Sequence, residues 1–171
     1  MPAPAGTTLI DQVDGENRPI GLVRRGEVFD QRANFRTVNV FLTNESGELL
    51  LQRLALTRDR HPGQWGSSVA GYLFAGESYS AAASRRLREE LDVDVELASC
   101  GVIPIDDEGV IKFVGVFSGR AEQARITDPE HVAAIEFRPV AAIEADLEVG
   151  LSTYTDTFAR VFPYWRHHHS E

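Results

Sequence analysis

The sequence is poor in cysteine, in lysine and in long apolar runs. One cysteine in 171 residues, Cys100, excludes a disulfide within the chain, and Lys112 is the only lysine. No apolar stretch reaches membrane-spanning length, and the N-terminus lacks a basic region followed by an apolar core. We therefore expect a cytoplasmic protein that has no membrane partner.

The sequence also has no excess of positively charged residues. The chain has 26 Asp and Glu against 17 Lys and Arg, a formal net charge of -9, and an ordinary hydrophobic content of 43%. This balance argues against a nucleic-acid polymer as partner, but a small phosphate ligand held by a metal ion and a few arginines remains compatible with it. The length predicts one domain over 1–171, in which residues 1–8 and 166–171 are disordered.

The stretch 71–93 reads GYLFAGESYSAAASRRLREELDV, and its second half predicts a helix. Residues 78–92 contain no Gly or Pro and are rich in good helix formers. Ser78 is a suitable N-cap. Three apolar residues at intervals of four form a predicted buried stripe: Ala83, Leu87 and Leu91. The charged residues of the helix must then occupy its other faces.

Two adjacent carboxylates, Glu89 and Glu90, stand at nearly the same height on this helix. Such a pair suits a hard divalent cation such as Mg²⁺, with water and substrate phosphates as further ligands. The preceding loop can bring the Gly71 carbonyl and the Glu77 carboxylate to the same place. The other interpretation is a solvated face with Arg–Glu pairs such as Arg85–Glu89, and the helix taken alone favours it.

The same stretch resembles the Nudix box, G-x5-E-x7-R-E-U-x-E-E-x-G-U, where U is aliphatic. The fixed positions that match in register are Gly71, Glu77, Arg85, Leu87, Glu89, Glu90 and Val93. Two positions differ, because Arg86 stands where the motif has Glu and Asp92 where it has Gly. Asp tolerates a left-handed helix exit. Arg86 is the more serious departure, since the Glu it replaces is a metal ligand or catalytic base in several family members.

The resemblance implies an enzyme that hydrolyses phosphoanhydride bonds with Mg²⁺, or alternatively Mn²⁺. The implied metal ligands are the Gly71 carbonyl, Glu77, Glu89 and Glu90. Arg85 is expected to orient these carboxylates through charge-assisted hydrogen bonds. The solvated-face interpretation of Arg85 becomes the weaker one once the motif register is considered.

With Arg86 at the motif Glu position, the general base has to come from elsewhere or be absent. Glu130 is our candidate, because the family often places an acidic residue in that loop. Glu136 is a weaker candidate. Each also has an ordinary interpretation, Glu130 as a loop carboxylate that caps a turn and Glu136 as a solvent-facing strand residue.

Substrate contacts are expected from basic and aromatic side chains. The predicted phosphate contacts are Arg53, Arg58, Arg86 and Lys112. The aromatic candidates for stacking on a nucleobase are Phe35, Tyr72 and Phe74. A paired lysine on a strand and aromatic residues in the core are the competing structural interpretations.

Residues from about 11 to 140 are more similar to the subgroup that contains isopentenyl-diphosphate isomerase and its hydrolase relatives. Segments such as VDGENRPIG and PGQW are typical of it. The isomerases use a Cys just before the box Gly, carboxylates on a later strand and His metal ligands. Here Ala70, Lys112 and Tyr72 stand at three of these positions. Since Ala cannot donate a proton and a protonated Lys cannot bind a cation, isomerase activity is disfavoured.

The remaining chain predicts alternating strands and helices. The predicted segments are a hairpin over 9–23, strands over 35–43, 48–53, 64–72, 94–105, 110–118 and 133–139, a turn over 106–109, and helices over 140–145 and 153–165, the last ending near Pro163. This order predicts an α+β class, and the resemblance implies a Nudix-type α/β/α sandwich with a mixed sheet between helices.

We therefore expect a metal-dependent pyrophosphohydrolase of nucleoside di- or triphosphates, or of related nucleoside-diphosphate-linked compounds. A nucleotide-binding sensor whose catalysis is weakened by Arg86 is one alternative, and an isomerase-like activity is the other. The expected partner is a small nucleotide, and both a monomer and a homodimer are compatible with the sequence.

Overall fold

A computed structural model describes residues 5–150 and 153–169. Its strands are β1 Leu9–Val13, β2 Pro19–Arg24, β3 Phe35–Thr43, β4 Glu48–Leu54, β5 Trp65–Gly66, β6 Val69–Tyr72, β7 Ala98–Asp107, β8 Val110–Arg120 and β9 Val132–Pro139. Its helices are α1 Tyr79–Leu91, α2 Val140–Glu148 and α3 Asp156–His168. No helix within the described ranges is long and apolar enough to cross a membrane.

Strand β3 is the centre of a seven-stranded mixed sheet. The order is β5-β4-β3-β8-β7, and β6 also pairs with β3 while β9 pairs with β4. The pairing of β3 with β8 is parallel, and the other pairings are antiparallel. Helix α1 packs on one face of the sheet and α3 on the other. The predicted α+β class and α/β/α arrangement are confirmed.

Helix α1 begins and ends as its sequence predicts. The Ser78 hydroxyl accepts a hydrogen bond from the Ala81 amide at 3.1 Å, which caps the first turn. Asp92 adopts the left-handed conformation (φ 53°, ψ 42°) and its amide donates to the Leu87 carbonyl. Leu87 and Leu91 are buried against Val38 and neighbouring core residues. The motif Gly is therefore replaced here without loss of the helix exit.

The predicted end of the last helix near Pro163 is wrong. Helix α3 runs through Pro163 to His168, so residues 166–168, which we expected to be disordered, are helical. Trp165 explains this, because it is fully buried and stacks on Phe41 with ring centroids 4.9 Å apart. Its packing outweighs the single backbone hydrogen bond that a proline removes.

Parts of both terminal segments that we expected to be disordered lie outside the described residues. These parts are residues 1–4, 170 and 171. Residues Ala5–Thr7, by contrast, form a short 3₁₀ turn. The Thr8 carbonyl accepts a hydrogen bond from the Arg25 amide at 2.8 Å.

Two strand predictions also need correction. The segment 64–72 is not one strand, because β5 pairs with β4 whereas β6 pairs with β3. The predicted turn over 106–109 is shorter, since β7 continues to Asp107 and only Glu108 and Gly109 form the turn. Both turn residues have positive φ, 53° and 88°, as two-residue hairpins prefer. Asp107 thereby becomes a strand residue.

Candidate active site

A cavity of about 890 Å³ lies next to the start of the stretch 71–93. Strand β3 and the end of β6 form one wall, and the loop over 54–61 forms another. Lys112, residues 129–131 and the start of α3 complete the lining, together with Arg25 from the turn after β2. A volume of this size suits a nucleotide-sized ligand.

Arg85 holds the carboxylate of Glu77 with two hydrogen bonds. Arg85 Nε donates to Glu77 Oε2 at 2.7 Å and Nη2 donates to Oε1 at 2.9 Å. The amide of Phe74 donates to the same Oε1 at 2.9 Å. Partial burial by itself raises the pKa of Glu77, but these hydrogen bonds outweigh it and hold the pKa below its usual value. Arg85 Nη1 also donates to Glu89 at 3.2 Å, so one guanidinium orients two predicted ligands.

Glu90 is the buried carboxylate of the site. It is only 1% exposed, and neither of its carboxylate oxygens has a hydrogen-bond partner among the described residues. Burial raises its pKa, and the charges of Arg86 and Arg58 act in the opposite direction. Arg86 Nε lies 3.4 Å from Glu90 Oε2. A buried carboxylate with two unused acceptor oxygens is costly unless something binds to it.

Arg86 reaches over Gly71 to the end of strand β6. Its Nη2 donates to the Ala70 carbonyl at 3.1 Å. A Cβ placed on Gly71 would lie within 2.5 Å of Arg86 Cζ. The glycine therefore provides the space in which the guanidinium lies. This contact joins the box helix to the cavity, because Ala70 and Gly71 both line it.

The donors near α1 fit a divalent cation. Glu90 offers two buried oxygens that accept no hydrogen bond from the described residues, although one forms an ion pair with Arg86, and Glu89 is adjacent on the helix with a half-exposed side chain. Within the ranges 5–150 and 153–169, no three Asp, Glu, His or Cys side chains are gathered around one point. Mg²⁺ is commonly bound by one or two carboxylates, with water and substrate phosphates as its other ligands. The donor set suits that kind of site and not an all-protein cage.

Arg25 and Arg58 supply positive charge to the cavity wall. Both line the cavity, and neither forms an ion pair with a carboxylate in the described part of the chain. Burial lowers the pKa of each guanidinium, although both remain charged at neutral pH. Their charges act on each other and on Arg86, and Glu90 attracts Arg58. This part of the wall is therefore suited to an anion.

Lys112 belongs to a second group of charged side chains, in which a carboxylate balances the positive charges. Its Nζ lies 3.1 Å from Asp107 Oδ2 and donates to Thr157 Oγ1 at 2.6 Å. Arg60 donates to both oxygens of the same Asp107, at 2.8 and 3.2 Å. Burial lowers the pKa of Lys112, and the Asp107 charge opposes this shift. The lysine lines the cavity but already has two strong partners.

The other predicted residues are placed as follows. Glu130 lines the cavity with an exposed side chain, so a base at this position stays a prediction. Glu136 is exposed on β9 and does not line the cavity. Arg53 is also exposed, and its Nε donates to the Gly63 carbonyl at 3.3 Å. The structure therefore brings Glu130, but not Arg53 or Glu136, to the cavity.

Of the rings predicted to stack on a nucleobase, Phe35 and Tyr72 are covered by other described residues, whereas Phe74 is 42% exposed and stacking on it stays a prediction. Tyr72 lies between Phe35, whose centroid is 5.1 Å away, and the guanidinium of Arg25 at 4.4 Å. Phe35 is fully buried. Arg85 covers Phe74 with its Cζ 3.7 Å from the ring centroid. Tyr72 and Phe74 each also position an arginine.

Sequence reasoning missed Arg25 and Arg60. Arg25 lies in a segment that reads only as a polar connection, and it reaches the cavity because the β1–β2 hairpin packs Ile10 and Val23 near Phe35. No local signal identifies such a residue. Arg60 stands two positions after Arg58 in a loop rich in basic residues, and this spacing was a usable signal.

Gly71→Ala tests the contact between the glycine and Arg86. The new Cβ must displace the guanidinium of Arg86. The Ala70 carbonyl then loses its hydrogen-bond donor, and Glu90 loses its nearest cation. We expect a loss of about 1–3 kcal/mol in the free energy of unfolding, measured by urea titration. The loss should be smaller in an Arg86→Ala background. Gly21→Ala is the control, since a Cβ there meets nothing within 4 Å; an equal effect at both glycines would contradict this account.

Comparisons with known proteins identify the family of the chain. The model of the NUDIX domain matches residues 33–158. An uncharacterized Nudix hydrolase of Pseudomonas aeruginosa is 33% identical over 144 residues, which cover 83% of this chain and 85% of that protein. An isopentenyl-diphosphate delta-isomerase of Streptomyces griseus is 33% identical over 147 residues, which cover 81% and 75%.

A solved structure supports the fold alone. The crystal structure of a protein from Deinococcus radiodurans has a TM-score of 0.78 at 24% identity and covers 92% of this chain and 99% of that chain.

The family model and the two relatives match the chain in sequence, and the solved structure matches it in fold. The chain belongs to the Nudix family. The predicted resemblance to its isomerase-like subgroup is confirmed, as is the prediction of an enzyme of the Nudix hydrolase class.

Proposed function

We propose that the protein hydrolyses a phosphoanhydride bond in nucleoside di- or triphosphates or in nucleoside-diphosphate-linked compounds, with Mg²⁺ as the metal ion and Mn²⁺ as an alternative. One observation carries the proposal. Glu90 of α1 attracts Arg58 electrostatically, and Arg58 lines the same cavity as Arg25 and Gly71. A diphosphate needs both a metal site and fixed cations, and this is where the chain offers them.

Each group has a role that follows from its surroundings. A divalent cation, when bound, neutralises the diphosphate and activates water for attack on phosphorus. Glu89 and Glu90 would hold it, with the Gly71 carbonyl and Glu77 as the further predicted ligands. Arg85 orients Glu77 and Glu89 through the hydrogen bonds given above, and those to Glu77 lower the pKa of that carboxyl.

The phosphate oxygens would be bound by guanidinium groups. Arg58 and Arg25 line the cavity and form no ion pair with a carboxylate of the described residues, and Arg86 adds its charge beside Glu90. Lys112 and Arg53 stay predicted contacts, although Lys112 is paired and Arg53 lies outside the cavity wall. Glu130 is the proposed general base, because its exposed carboxylate is on the cavity wall.

A sensor with weak or no catalysis is the second candidate. The observation in its favour is the 3.4 Å contact of Arg86 with Glu90, since a fixed cation stands where the family motif has a carboxylate. An isomerase is disfavoured by the cavity wall itself. Ala70 lies there where a thiol would be needed, and Cys100 is on β7 and is not among the lining residues.

The test is hydrolysis of a panel of nucleoside diphosphates, triphosphates, nucleotide sugars and dinucleoside polyphosphates with Mg²⁺ or Mn²⁺, followed through the nucleotide product and the phosphate, pyrophosphate or sugar phosphate formed with it. We expect turnover of at least one class, lost in Glu89→Gln and retained in Glu45→Gln, an exposed carboxylate in the β3–β4 turn. An increase with Arg86→Glu would show that the arginine restrains catalysis. Binding without turnover would favour the sensor, and isomer formation without phosphate release would favour the isomerase.

We also expect a small nucleotide as the partner and a cytoplasmic location, with one domain over 1–171 as a monomer or homodimer. These expectations rest on the sequence and stay predictions.

A further inference from the structure

The loop before α1 contains a tight turn that binds its own carboxylate. Residues 74–77 form this turn, and the Glu77 amide donates to the Phe74 carbonyl at 3.0 Å. The Phe74 amide donates in return to Glu77 Oε1 at 2.9 Å. Gly76 has a φ of 76°, the left-handed value that a type II turn requires at its third residue. The conformation of the turn therefore sets the position of a predicted metal ligand.

The N-terminal hairpin accepts hydrogen bonds from the two central amides of this turn. The Ala75 amide donates to the Leu9 carbonyl at 3.1 Å, and the Gly76 amide donates to Asp11 Oδ2 at 2.9 Å. Both acceptors belong to β1, which precedes residue 33, where the match to the NUDIX domain begins. The Asp11 contact is made by a side chain, so a substitution can remove it without changing the backbone of β1.

The orientation of one peptide group depends on Asp11. Type I and type II turns differ by a flip of the peptide between their second and third residues, here Ala75 and Gly76. Glycine adopts either sign of φ readily, so the turn sequence leaves both forms accessible. A flip would turn the Gly76 N–H away from Asp11 and bring the Ala75 carbonyl towards that carboxylate, which would repel it. Asp11 therefore selects the type II form.

The hairpin itself is held in place by contacts other than Asp11. Asn17, in the turn of the hairpin, accepts a hydrogen bond from Arg36 Nε at 2.8 Å through Oδ1 and another from Arg36 Nη2 at 2.6 Å through its carbonyl. Ile10 and Val23 are buried in the core beneath the hairpin. Removal of the Asp11 side chain should therefore release the turn and leave the hairpin docked.

We propose that Asp11 is a positioning residue for the metal site. By holding the Gly76 amide, it keeps the turn in the form that places the Glu77 carboxylate against Arg85. Arg85 also binds Glu89, so the support of the turn extends to a second predicted ligand. The inference rests on the proposed function, in which Glu77 is a metal ligand. Asp11 acts through its acceptor oxygen and not through its charge.

The experiment measures the affinity for Mn²⁺ alone by electron paramagnetic resonance, without nucleotide. We expect Asp11→Ala to weaken Mn²⁺ binding about tenfold, the lower end of the usual cost of losing a group that orients a metal ligand. Asp11→Asn keeps a side-chain oxygen that accepts from the Gly76 amide, and it should bind Mn²⁺ nearly as tightly as the wild type. Glu16→Ala is the matched control, because it removes an exposed carboxylate of the same hairpin that is paired with Arg18.

Folding and turnover are measured beside the affinity. Thermal melting should show that Asp11→Ala is folded, and Asp11→Leu, which keeps the volume of the side chain, replaces it if it is not. In the hydrolysis assay Asp11→Ala should lower kcat with little change in the KM of the nucleotide. The proposed phosphate contacts of Arg25 and Arg58 lie outside the turn, so a general loss of structure would instead change both constants.

Wild-type Mn²⁺ affinity in Asp11→Ala would overturn the inference, as would a wild-type protein that binds no Mn²⁺. An Asp11→Asn variant as weak as Asp11→Ala would show that the charge is responsible and not the hydrogen bond. An equal loss in Glu16→Ala would point to the net charge of the hairpin, which also contradicts the inference. Mn²⁺ binding that depends on Asp11 without turnover of any compound would contradict only the proposed function. Turnover with unchanged Mn²⁺ affinity in Asp11→Ala would contradict only the inference.

Discussion

Glu90→Gln is expected to lower kcat by roughly a thousandfold, because a bound metal ion stabilises the transition state by several kcal/mol and each 1.36 kcal/mol is a factor of ten. The substitution keeps the shape of the side chain and removes only its charge. Glu90 is buried, its oxygens have no hydrogen-bond partner in the described residues, and its nearest charged contact is Arg86 at 3.4 Å. The measurement is steady-state turnover of whichever compound the hydrolysis panel identifies.

The comparison with Glu89→Gln makes this prediction specific. The side chain of Glu89 is 51% exposed and is held by Arg85, whereas that of Glu90 is almost completely buried. Circular dichroism should show that both variants are folded. If Glu90→Gln keeps more than a tenth of the wild-type kcat, Glu90 neither holds the metal ion nor acts on the phosphates, and its burial needs another explanation.

Trp165→Ala is expected to lower the free energy of unfolding by about 3–5 kcal/mol, the usual cost of removing a large aromatic side chain from a core. Trp165 stacks on Phe41 and contacts Phe162, with centroids 4.9 and 5.8 Å away. Its indole N–H donates to the Ser118 hydroxyl at 3.2 Å. The substitution leaves a cavity and removes one partner of the Ser118 hydroxyl, which His169 Nδ1 also approaches at 3.5 Å, and urea titration measures the result.

Two further variants bracket this effect. Trp165→Phe keeps most of the buried area and should cost clearly less than Trp165→Ala. Leu22→Ala removes a side chain that is 58% exposed and should change stability by less than about 1 kcal/mol. A cost for Trp165→Ala close to that of Leu22→Ala would mean that the end of α3 does not depend on this residue.

Local signals predicted the elements whose determinants are adjacent in sequence. Ser78 caps α1 because its hydroxyl reaches an amide three residues on, and Asp92 ends the helix through its own backbone conformation. The division of 64–72 into β5 and β6 depends on which strand each half pairs with, which sequence periodicity does not contain. The predicted helix end at Pro163 was wrong for a similar reason, because the helix continues through tertiary packing of Trp165 on Phe41.

In the candidate site, too, the sequence predicted the residues that are close together in the chain and not those brought together by tertiary packing. The motif places Glu77, Arg85 and Glu89 in one segment, and the hydrogen bonds between them follow from their spacing. Arg25 and Asp107 could not be found in this way. Arg25 reaches the cavity through the docking of a hairpin, and Asp107 pairs with Arg60 from a loop 47 residues away.

The position of Glu89 and Glu90 at the end of α1 has an electrostatic consequence. They lie in the last turn, and the C-terminal end of a helix carries roughly half a negative charge from its aligned peptide dipoles. Two carboxylates there oppose the field of their own helix. Arg85 and Arg86, one turn earlier, supply permanent positive charge that offsets this repulsion. The order of charges in RRLREE thus allows two acidic groups to stay at the negative pole of a helix, where any additional cation is attracted by the carboxylates and by the helix together.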